Sequence, residues 1–373
     1  MVLFRMENAF GGMSSLHDDT AWAERSEAWA ILPTAKKRPG RIARHVNEPL
    51  ILTGHGLRLQ VHQGSLVVKG GFTHYPQKQE ERRFFPGDRK MPSRIVIVDG
   101  NGSLTLDVMT WLADRNIPLV RVDWRGNAVT MLGNSYGLNP ERVKSQLQAQ
   151  SGADALRIAN SLIHLKLRNC LDALAMLPDS IERSRAIDKH KREISLLKKT
   201  PPRSIARLLG IEGAAALNYF AAWQSLRIKW TGVKSRPIPV DWLSFSQRTS
   251  NKGKTGDNIG ATHPLNVCLN YAYAILESHV RMDVIAQGYD PTIGYLHKYK
   301  QGRDAFVLDL MEPLRATVDR ALIEFVQSHE FRAADFTIRS DGVCRLNAQL
   351  AKRVSSFSLN VLDGKSTLNQ VRF

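Results

Sequence analysis

The stretch Gly-Asn-Ser-Tyr-Gly-Leu-Asn-Pro, residues 133–140, divides the sequence into two parts with different patterns. Its glycines, asparagines and serine favour a loop, and Asn139-Pro140 favours a helix start because proline suits the first helical position. Before this loop the apolar residues recur with period two, and after it they recur with the helical period. The pattern therefore predicts an α+β fold: a small β-rich N-terminal domain followed by a larger all-α domain.

The period-two part begins at about residue 49. Leu57, Leu59 and Val61 alternate with polar residues, and the pattern resumes at Leu66 after Gln63-Gly64, which predicts a hairpin. Further strands are predicted at 94–98, 117–123 and 128–132, with a short helix between Ser103 and about Arg115. The predicted divisions are an N-terminal extension that is poorly ordered, a β-rich domain, a linker and a helical domain, at residues 1–48, 49–133, 134–145 and 146–373.

The helical part contains three clear helix patterns besides the one that Pro140 begins. They are predicted at about 203–228, 264–287 and 312–327. Residues 248–262 form a polar, glycine-containing loop between two of them. No internal repeat, P-loop, dinucleotide-binding glycine pattern or zinc-protease motif is present.

The charge of the chain points to a polyanionic partner. Lysine and arginine number 52 against 35 aspartates and glutamates, which gives a net charge of +17 over 373 residues. A basic surface of this size favours nucleic acid. No apolar run is long enough to cross a membrane and no secretory signal is evident, and the three cysteines are widely spaced, so a reducing, cytoplasmic setting is expected.

Four residues are candidates for chemistry. Glu212 lies at helical spacing from Leu208 on an apolar helix face, where a bare carboxylate is costly. It is either paired with one of the many arginines or it acts as a metal ligand or base. His297 is either a hydrogen-bonded core histidine or part of a phosphate-facing site. Asp309 and Glu312, spaced i, i+3, either cap a helix that starts near Pro313 or share a functional face.

Together, carboxylates and one imidazole have the chemistry of an oxygen-rich divalent site, which suits Mn²⁺ or Mg²⁺ better than structural zinc. In a basic protein such a site indicates phosphodiester chemistry. Glu212 and His297 are far apart in the sequence, so the site requires the fold to bring them together.

The ordered motifs resemble the CRISPR-associated integrase (endonuclease) of the spacer-acquisition complex over roughly residues 49–360. The matching pieces, in chain order, are Leu52-Thr53-Gly54-His55-Gly56, Trp111-Leu112, Ile117-Pro118-Leu119-Val120, Leu209-Gly210-Ile211-Glu212-Gly213, Tyr219-Phe220, Pro264-Leu265-Asn266, Gly288-Tyr289-Asp290-Pro291, Gly294-Tyr295-Leu296-His297 and Leu308-Asp309-Leu310-Met311-Glu312-Pro313-Leu314-Arg315.

The resemblance implies that Glu212, His297 and Glu312 hold Mg²⁺ or Mn²⁺, with Asp309 as an auxiliary acid and no organic cofactor. It implies that the β-rich domain serves dimerisation and that the larger all-α domain is the catalytic domain. It also implies a homodimer and a small ferredoxin-like partner subunit that completes a heterohexamer on double-stranded or branched DNA. The implied reaction is 3′-OH transesterification that inserts short DNA fragments into a CRISPR repeat array.

Basic residues near the site are expected to contact DNA phosphates: Lys298, Lys300, Arg303, Arg248 and Lys254. The basic run at 188–207 is interpreted instead as a solvated face. Two alternatives remain open at this stage. One is a related casposon-type transposon integrase, and the other is a non-catalytic DNA-binding structural protein whose acids cap helices.

Overall fold

The structure is a computed structural model that describes residues 48–371. Within that range it leaves out 73–78, 124–127, 132, 134–136, 151–152, 236, 249–250, 253–257 and 299–302, and at 251, 252, 258 and 259 it describes the backbone alone. Of the predicted N-terminal extension, only Glu48 lies within the described part. The predicted loop at 133–140 lies partly outside it.

The first half of the described chain forms two four-stranded sheets and one helix. The strands are β1 (Leu50–Thr53), β2 (Leu57–His62), β3 (Ser65–Lys69), β4 (Glu81–Phe84), β5 (Ile95–Val98), β6 (Gly102–Leu104), β7 (Leu119–Val122) and β8 (Ala128–Met131), and the helix is α1 (Leu106–Asp114). The strand orders are β4-β3-β2-β6 and β1-β5-β7-β8.

The predicted hairpin is confirmed. Strands β2 and β3 pair antiparallel, with His62 opposite Ser65. The two turn residues, Gln63 and Gly64, have φ values of 48° and 72°, the left-handed conformations that a two-residue turn between twisted strands requires. The predicted helix start at Ser103 is wrong: Ser103 lies in β6, opposite Arg58 of β2, and α1 begins after Thr105.

Strands β1 and β5 of the second sheet are buried on both faces, which explains their nearly continuous apolar sequences. Alternate residues such as Leu52 and Ile95 pack in a small core with Trp111 of α1. The intervening residues, including Val96 and Val120, pack in the main core with the helices of the second half. The sheet thus lies between the N-terminal hairpin region and the helices that carry the candidate site.

The described part of the second half contains seven long helices. They are α2 (Pro140–Gln150), α3 (Ala153–Met176), α4 (Ile181–Lys199), α5 (Ile205–Ala222), α6 (Pro264–Ala286), α7 (Ala305–Ser328) and α8 (Ala348–Leu362). The expectation of an all-α second half is wrong, because short strands lie between the helices at Lys229–Thr231, Asn251–Lys252, Asn258–Gly260, Glu330–Arg332, Phe336–Ile338 and Cys344–Leu346. Their aromatic residues, such as Trp230 and Phe331, pack together. The α+β fold class is confirmed.

Helix α7 begins earlier than its proline suggests. It starts at Ala305, with Asp304 at the N-cap position, and Pro313 lies inside it. The alternative in which Asp309 and Glu312 cap a helix is therefore wrong. Burial of Phe306, Leu310 and the turns around them outweighs the cost of an interior proline. Asp309 and Glu312 are instead buried in the middle of a helix.

Among the described residues, the helices are each too short or too polar to span a bilayer.

Candidate active site

Two of the predicted acids meet at a lysine. Lys166 of α3 forms ion pairs with Oε1 of Glu212, on α5, and with Oε2 of Glu312, on α7, the latter at 2.6 Å. The three side chains are only 13%, 20% and 8% exposed, in that order. Because one nitrogen contacts both carboxylates, the carboxylates are close enough to share one cation.

The local sequence explains why these groups face one another. Lys166 follows the buried Leu162 and Ile163 at spacings of four and three, so it lies on the packed face of α3. Glu212 follows the buried Leu208 by four residues, the spacing that predicts a place on the apolar face of α5. The alternative that pairs Glu212 with an arginine is wrong, since its partner is Lys166.

Arg315 adds a second cation to Glu312. Its Nε lies 3.2 Å from Oε1 of Glu312, one helical turn away. Burial alone would raise the pKa of Glu312, but Arg315 and then Lys166 outweigh burial and lower this pKa to about 2. For Lys166, burial alone would lower the pKa, but Glu312 and then Glu212 reverse that effect and raise it. Both groups are therefore charged at neutral pH.

His297 and Asp309 form a second pair. Asp309 is fully buried and accepts backbone N–H bonds from Tyr295, Leu296 and His297 at 2.6, 2.9 and 2.9 Å. Its Oδ1 also lies 2.7 Å from Nδ1 of His297. A carboxylate with this many donors accepts from the ring as well, so Nδ1 carries a proton, and whenever the ring is neutral Nε2 has a free lone pair. A carboxylate behind a histidine in this way fixes the orientation that a metal ligand needs.

A cavity of about 260 Å³ adjoins the Lys166 group. On its wall, Asp319 accepts hydrogen bonds from the hydroxyls of Tyr219 and Tyr273 at 2.8 and 2.7 Å. Burial raises the pKa of Asp319 to about 6, against these two hydrogen bonds and the nearby Arg315. Burial also raises the pKa of both tyrosines well above the usual range, so each stays a donor.

Five residues of this site have roles that were not predicted from the sequence: Lys166, Tyr219, Tyr273, Arg315 and Asp319. The sequence did contain a pattern that could have identified Arg315 and Asp319. Glu312, Arg315 and Asp319 are spaced i, i+3, i+7 and so share a face of one helix. Lys166 appears in the sequence only as a charged residue within the apolar helical pattern of α3. Such a residue does not reveal which groups it pairs with.

The predicted residues fall into two groups in the structure. Glu212 and Glu312 meet at Lys166, and His297 meets Asp309. His297 is near enough to Glu312 for its charge to lower the pKa of that carboxyl. Over the described ranges, however, no three His, Cys, Asp or Glu side chains are arranged to hold a metal ion. The three-ligand set stays a prediction.

The residues nevertheless fit the implied ion chemically. The carboxylates of Glu212 and Glu312 already share a cation, and Oε2 of Glu312 is buried with no hydrogen-bond partner besides Lys166 in the described structure. His297 is 23% exposed and has its Nε2 lone pair available. Oxygen donors with one imidazole suit Mg²⁺ or Mn²⁺.

The predicted DNA-contacting residues differ in their surroundings. Lys298 and Arg303 are exposed, on either side of an undescribed segment. Arg248 donates to Oδ1 of Asn270 at 3.1 Å, and its guanidinium lies near the rings of Phe220 and Tyr273 on the cavity wall. Lys254 and Lys300 lie outside the described residues.

The chain is similar to proteins from several bacteria and archaea. It is 27% identical to a CRISPR-associated endonuclease Cas1 of Francisella tularensis subsp. novicida, over 82% of this chain and 87% of that protein. It is 28% identical to a CRISPR-associated endonuclease Cas1 of Methanospirillum hungatei, over 87% and 91% of the two chains.

Solved structures share the fold. A casposase bound to its integration product superposes with a TM-score of 0.68 at 26% identity, covering 86% of this chain and 85% of the casposase. A Cas1 protein from Thermotoga maritima superposes with a TM-score of 0.62 at 19% identity, covering 87% and 93% of the two chains. At the latter identity the likeness bears on the fold alone.

These matches place the chain among the CRISPR-associated nucleases and integrases. The family model described as CRISPR associated protein Cas1 matches residues 50–357, which include both sheets and every candidate site residue. The chain belongs to the Cas1 family, and the resemblance seen in its sequence is confirmed.

Proposed function

We propose that this protein is a metal-dependent DNA integrase and endonuclease that inserts short DNA fragments into a CRISPR repeat array. The observation that carries the proposal is the pairing of Glu212 and Glu312 around one cation, next to a carboxylate-held His297, in a member of the Cas1 family. The relatives named as endonucleases and the casposase bound to an integration product support it.

In this proposal, Glu212, His297 and Glu312 hold Mg²⁺ or Mn²⁺. When bound, the ion supplies charge stabilisation to the phosphate under attack. Asp309 holds the proton on Nδ1 of His297 and so presents Nε2. Arg315 stays charged in the cavity wall, because Glu312 overcomes the effect of burial and raises its pKa, and it can attract a phosphate.

The proposed reaction is transesterification. The 3′-OH of a DNA fragment attacks a phosphodiester at the edge of a repeat, so one P–O bond forms as another breaks and the departing 3′-oxygen takes up a proton. The number of phosphodiesters is unchanged, and no covalent enzyme intermediate is needed. The reverse reaction and cleavage of branched DNA would use the same groups.

The proposed partners are double-stranded and branched DNA, a second copy of this chain, and a small ferredoxin-like subunit that completes a heterohexamer. The net charge of +17 supports the DNA partner. Solved complexes that contain Cas1 together with Cas2 are among the structures that share this fold, one with a TM-score of 0.63. The proposed domains are the β-rich residues 49–133, for dimerisation, and residues 146–373, for catalysis.

The proposal is tested with Glu212→Ala and His297→Ala in a strand-transfer assay with Mn²⁺. We expect both variants to lose strand transfer and branched-DNA cleavage while they still bind DNA, because the basic surface remains. Glu324→Ala is the control, since Glu324 lies exposed on the same helix as Glu312. Full activity in both test variants would remove the proposed metal site.

A casposon-type transposon integrase is a second candidate, favoured by the TM-score of 0.68 with the casposase. The two candidates share the same site and differ in their target. Strand transfer into a CRISPR repeat supports the first, and strand transfer that requires transposon-end sequences on the donor supports the second.

A further inference from the structure

Lys166 is a cation built into the position that the proposed metal would take. Its ammonium contacts Oε1 of Glu212 and Oε2 of Glu312, and it is 13% exposed. Those same carboxylates are two of the three proposed ligands. An ammonium and a divalent ion cannot both lie between the same pair of oxygens at contact distance, because like charges repel strongly in a partly buried site.

Lys166 is the partner of Oε2 of Glu312. This oxygen lies 2.6 Å from the ammonium and makes no hydrogen bond to any other described group. Oε1 is held separately by Arg315. A divalent ion that replaced the ammonium would therefore take over the contact with Oε2 and leave the bond from Arg315 in place.

Without a cation, the two carboxylates would face each other in a poorly hydrated place. Arg315 offsets part of the charge on Glu312, but the structure records no ion pair of Glu212 other than the one to Lys166 within the described residues. Lys166 therefore stabilises the metal-free fold, since removing one partner of a buried ion pair leaves an uncompensated charge. The adjoining cavity of about 260 Å³ gives the ammonium room to move when an ion enters.

We propose that Lys166 is an internal counter-ion that occupies the cation position in the metal-free protein, is displaced by the divalent ion, and so sets the affinity for that ion. This inference rests on the proposed function, because it takes Glu212 and Glu312 as ligands. The ion pairs of Lys166 stabilise the metal-free protein, and the divalent ion must break them in order to bind. By linkage, the free energy of metal binding is therefore less favourable by the amount of that stabilisation.

The first test measures Mn²⁺ binding to the metal-free full-length protein by electron paramagnetic resonance of the free ion. We expect Lys166→Met to lower the Kd for Mn²⁺ by roughly tenfold or more, because the ion no longer competes with an ammonium. The metal-free variant should unfold at a lower temperature than the metal-free wild type. Added Mn²⁺ should raise the unfolding temperature of the variant more than that of the wild type. Lys189→Met is the matched control, since Lys189 forms a lysine–glutamate pair with Glu193 away from the cavity.

The second test uses the wild-type protein, so it can be carried out even if Lys166→Met does not fold. Lysines are labelled with an amine-reactive reagent, and the modification of Lys166 and Lys189 is quantified by mass spectrometry with and without saturating Mn²⁺. We expect the labelling rate of Lys166 to rise several-fold with the ion and that of Lys189 to stay constant. An unchanged or slower rate at Lys166 overturns the inference.

The outcomes separate this inference from the proposed function. If the wild type binds Mn²⁺ and Glu212→Ala does not, but Lys166→Met binds no more tightly than the wild type, the counter-ion inference fails alone. If the wild type binds no Mn²⁺ saturably, or Glu212→Ala binds it as well as the wild type, both fail.

Discussion

The ring Nδ1 of His297 lies 2.7 Å from Oδ1 of Asp309, a carboxylate that is fully buried. Asp309 belongs to helix α7 and His297 to the loop before it, so the pair fastens this loop to the helix that also carries Glu312. Three backbone N–H groups of the same loop donate to the same carboxylate. The position of the imidazole is thus set by one buried acid.

The role of Asp309 is tested with Asp309→Asn. An amide in this place turns an NH₂ group toward groups that are themselves donors, so we expect the free energy of unfolding to fall by about 2–4 kcal/mol. With His297 no longer held, we expect strand transfer to drop by roughly 10- to 100-fold. Urea unfolding and a strand-transfer assay measure the two effects.

The matched control for Asp309→Asn is Asp172→Asn, because the Asp172 side chain is 65% exposed. We expect this control to change neither measurement. Wild-type activity in Asp309→Asn would show that the imidazole does not depend on this carboxylate.

Asp319 predicts a particular pH dependence of stability. Burial raises its pKa to about 6 from the ordinary 3.8. As the pH rises from about 4 to 6, the unfolded chain releases this proton while the folded chain keeps it, so folding becomes less favourable by about 3 kcal/mol, and the loss is complete above pH 6. Asp319→Asn cannot titrate, so its unfolding free energy should improve relative to the wild type by that amount over this interval.

Urea unfolding of the wild type and Asp319→Asn at pH 4, 5, 6 and 7 measures this difference. A difference between the two proteins that stays flat across the series would show that the carboxyl titrates with an ordinary pKa.

The exposed residues Lys298 and Arg303 are expected to bind DNA phosphates. Replacing both with alanine should weaken binding of branched DNA and reduce the slope of log K against log salt by about 2, because each phosphate contact contributes about 0.9. Fluorescence anisotropy at several salt concentrations measures the slope.

Lys191→Ala with Arg192→Ala is the control for this experiment, since both residues are exposed on α4 in the basic run interpreted as a solvated face. The assignment of Lys298 and Arg303 to DNA contact fails if the test pair and the control pair lower the slope equally.

Arg345 and Asp99 connect distant parts of the chain. Nη2 of Arg345 donates to both oxygens of Asp99 at 2.9 and 2.7 Å, and the hydroxyl of Tyr271 approaches the same carboxylate. The side chains of Arg345 and Asp99 are 30% and 20% exposed. We expect Arg345→Met to lower the free energy of unfolding by about 1–3 kcal/mol, because it leaves a partly buried carboxylate without its charged partner.

A double-mutant cycle with Asp99→Asn measures the coupling between Arg345 and Asp99. The coupling should account for most of the loss seen in Arg345→Met. A coupling energy near zero would assign the loss to packing instead.

Local sequence patterns predicted the elements that local interactions determine. The hairpin followed from alternation around Gln63-Gly64, and α6 begins at Pro264 as its proline predicts. The start of α7 was missed because burial of its first turns, a tertiary effect, outweighs the interior Pro313. The short strands of the second half were missed for a similar reason, since each pairs with a segment that the sequence pattern does not identify.

The sequence by itself determined the class of elements, the basic character of the chain, and the apolar-face position of Glu212, because each depends on composition or on helical spacing. Only the tertiary structure decided that Lys166 lies between Glu212 and Glu312, and that Asp319 meets two tyrosines in the same cavity. These contacts depend on how four helices, α3, α5, α6 and α7, pack together. The partner of a buried charge is set by that packing and not by the sequence around the charge.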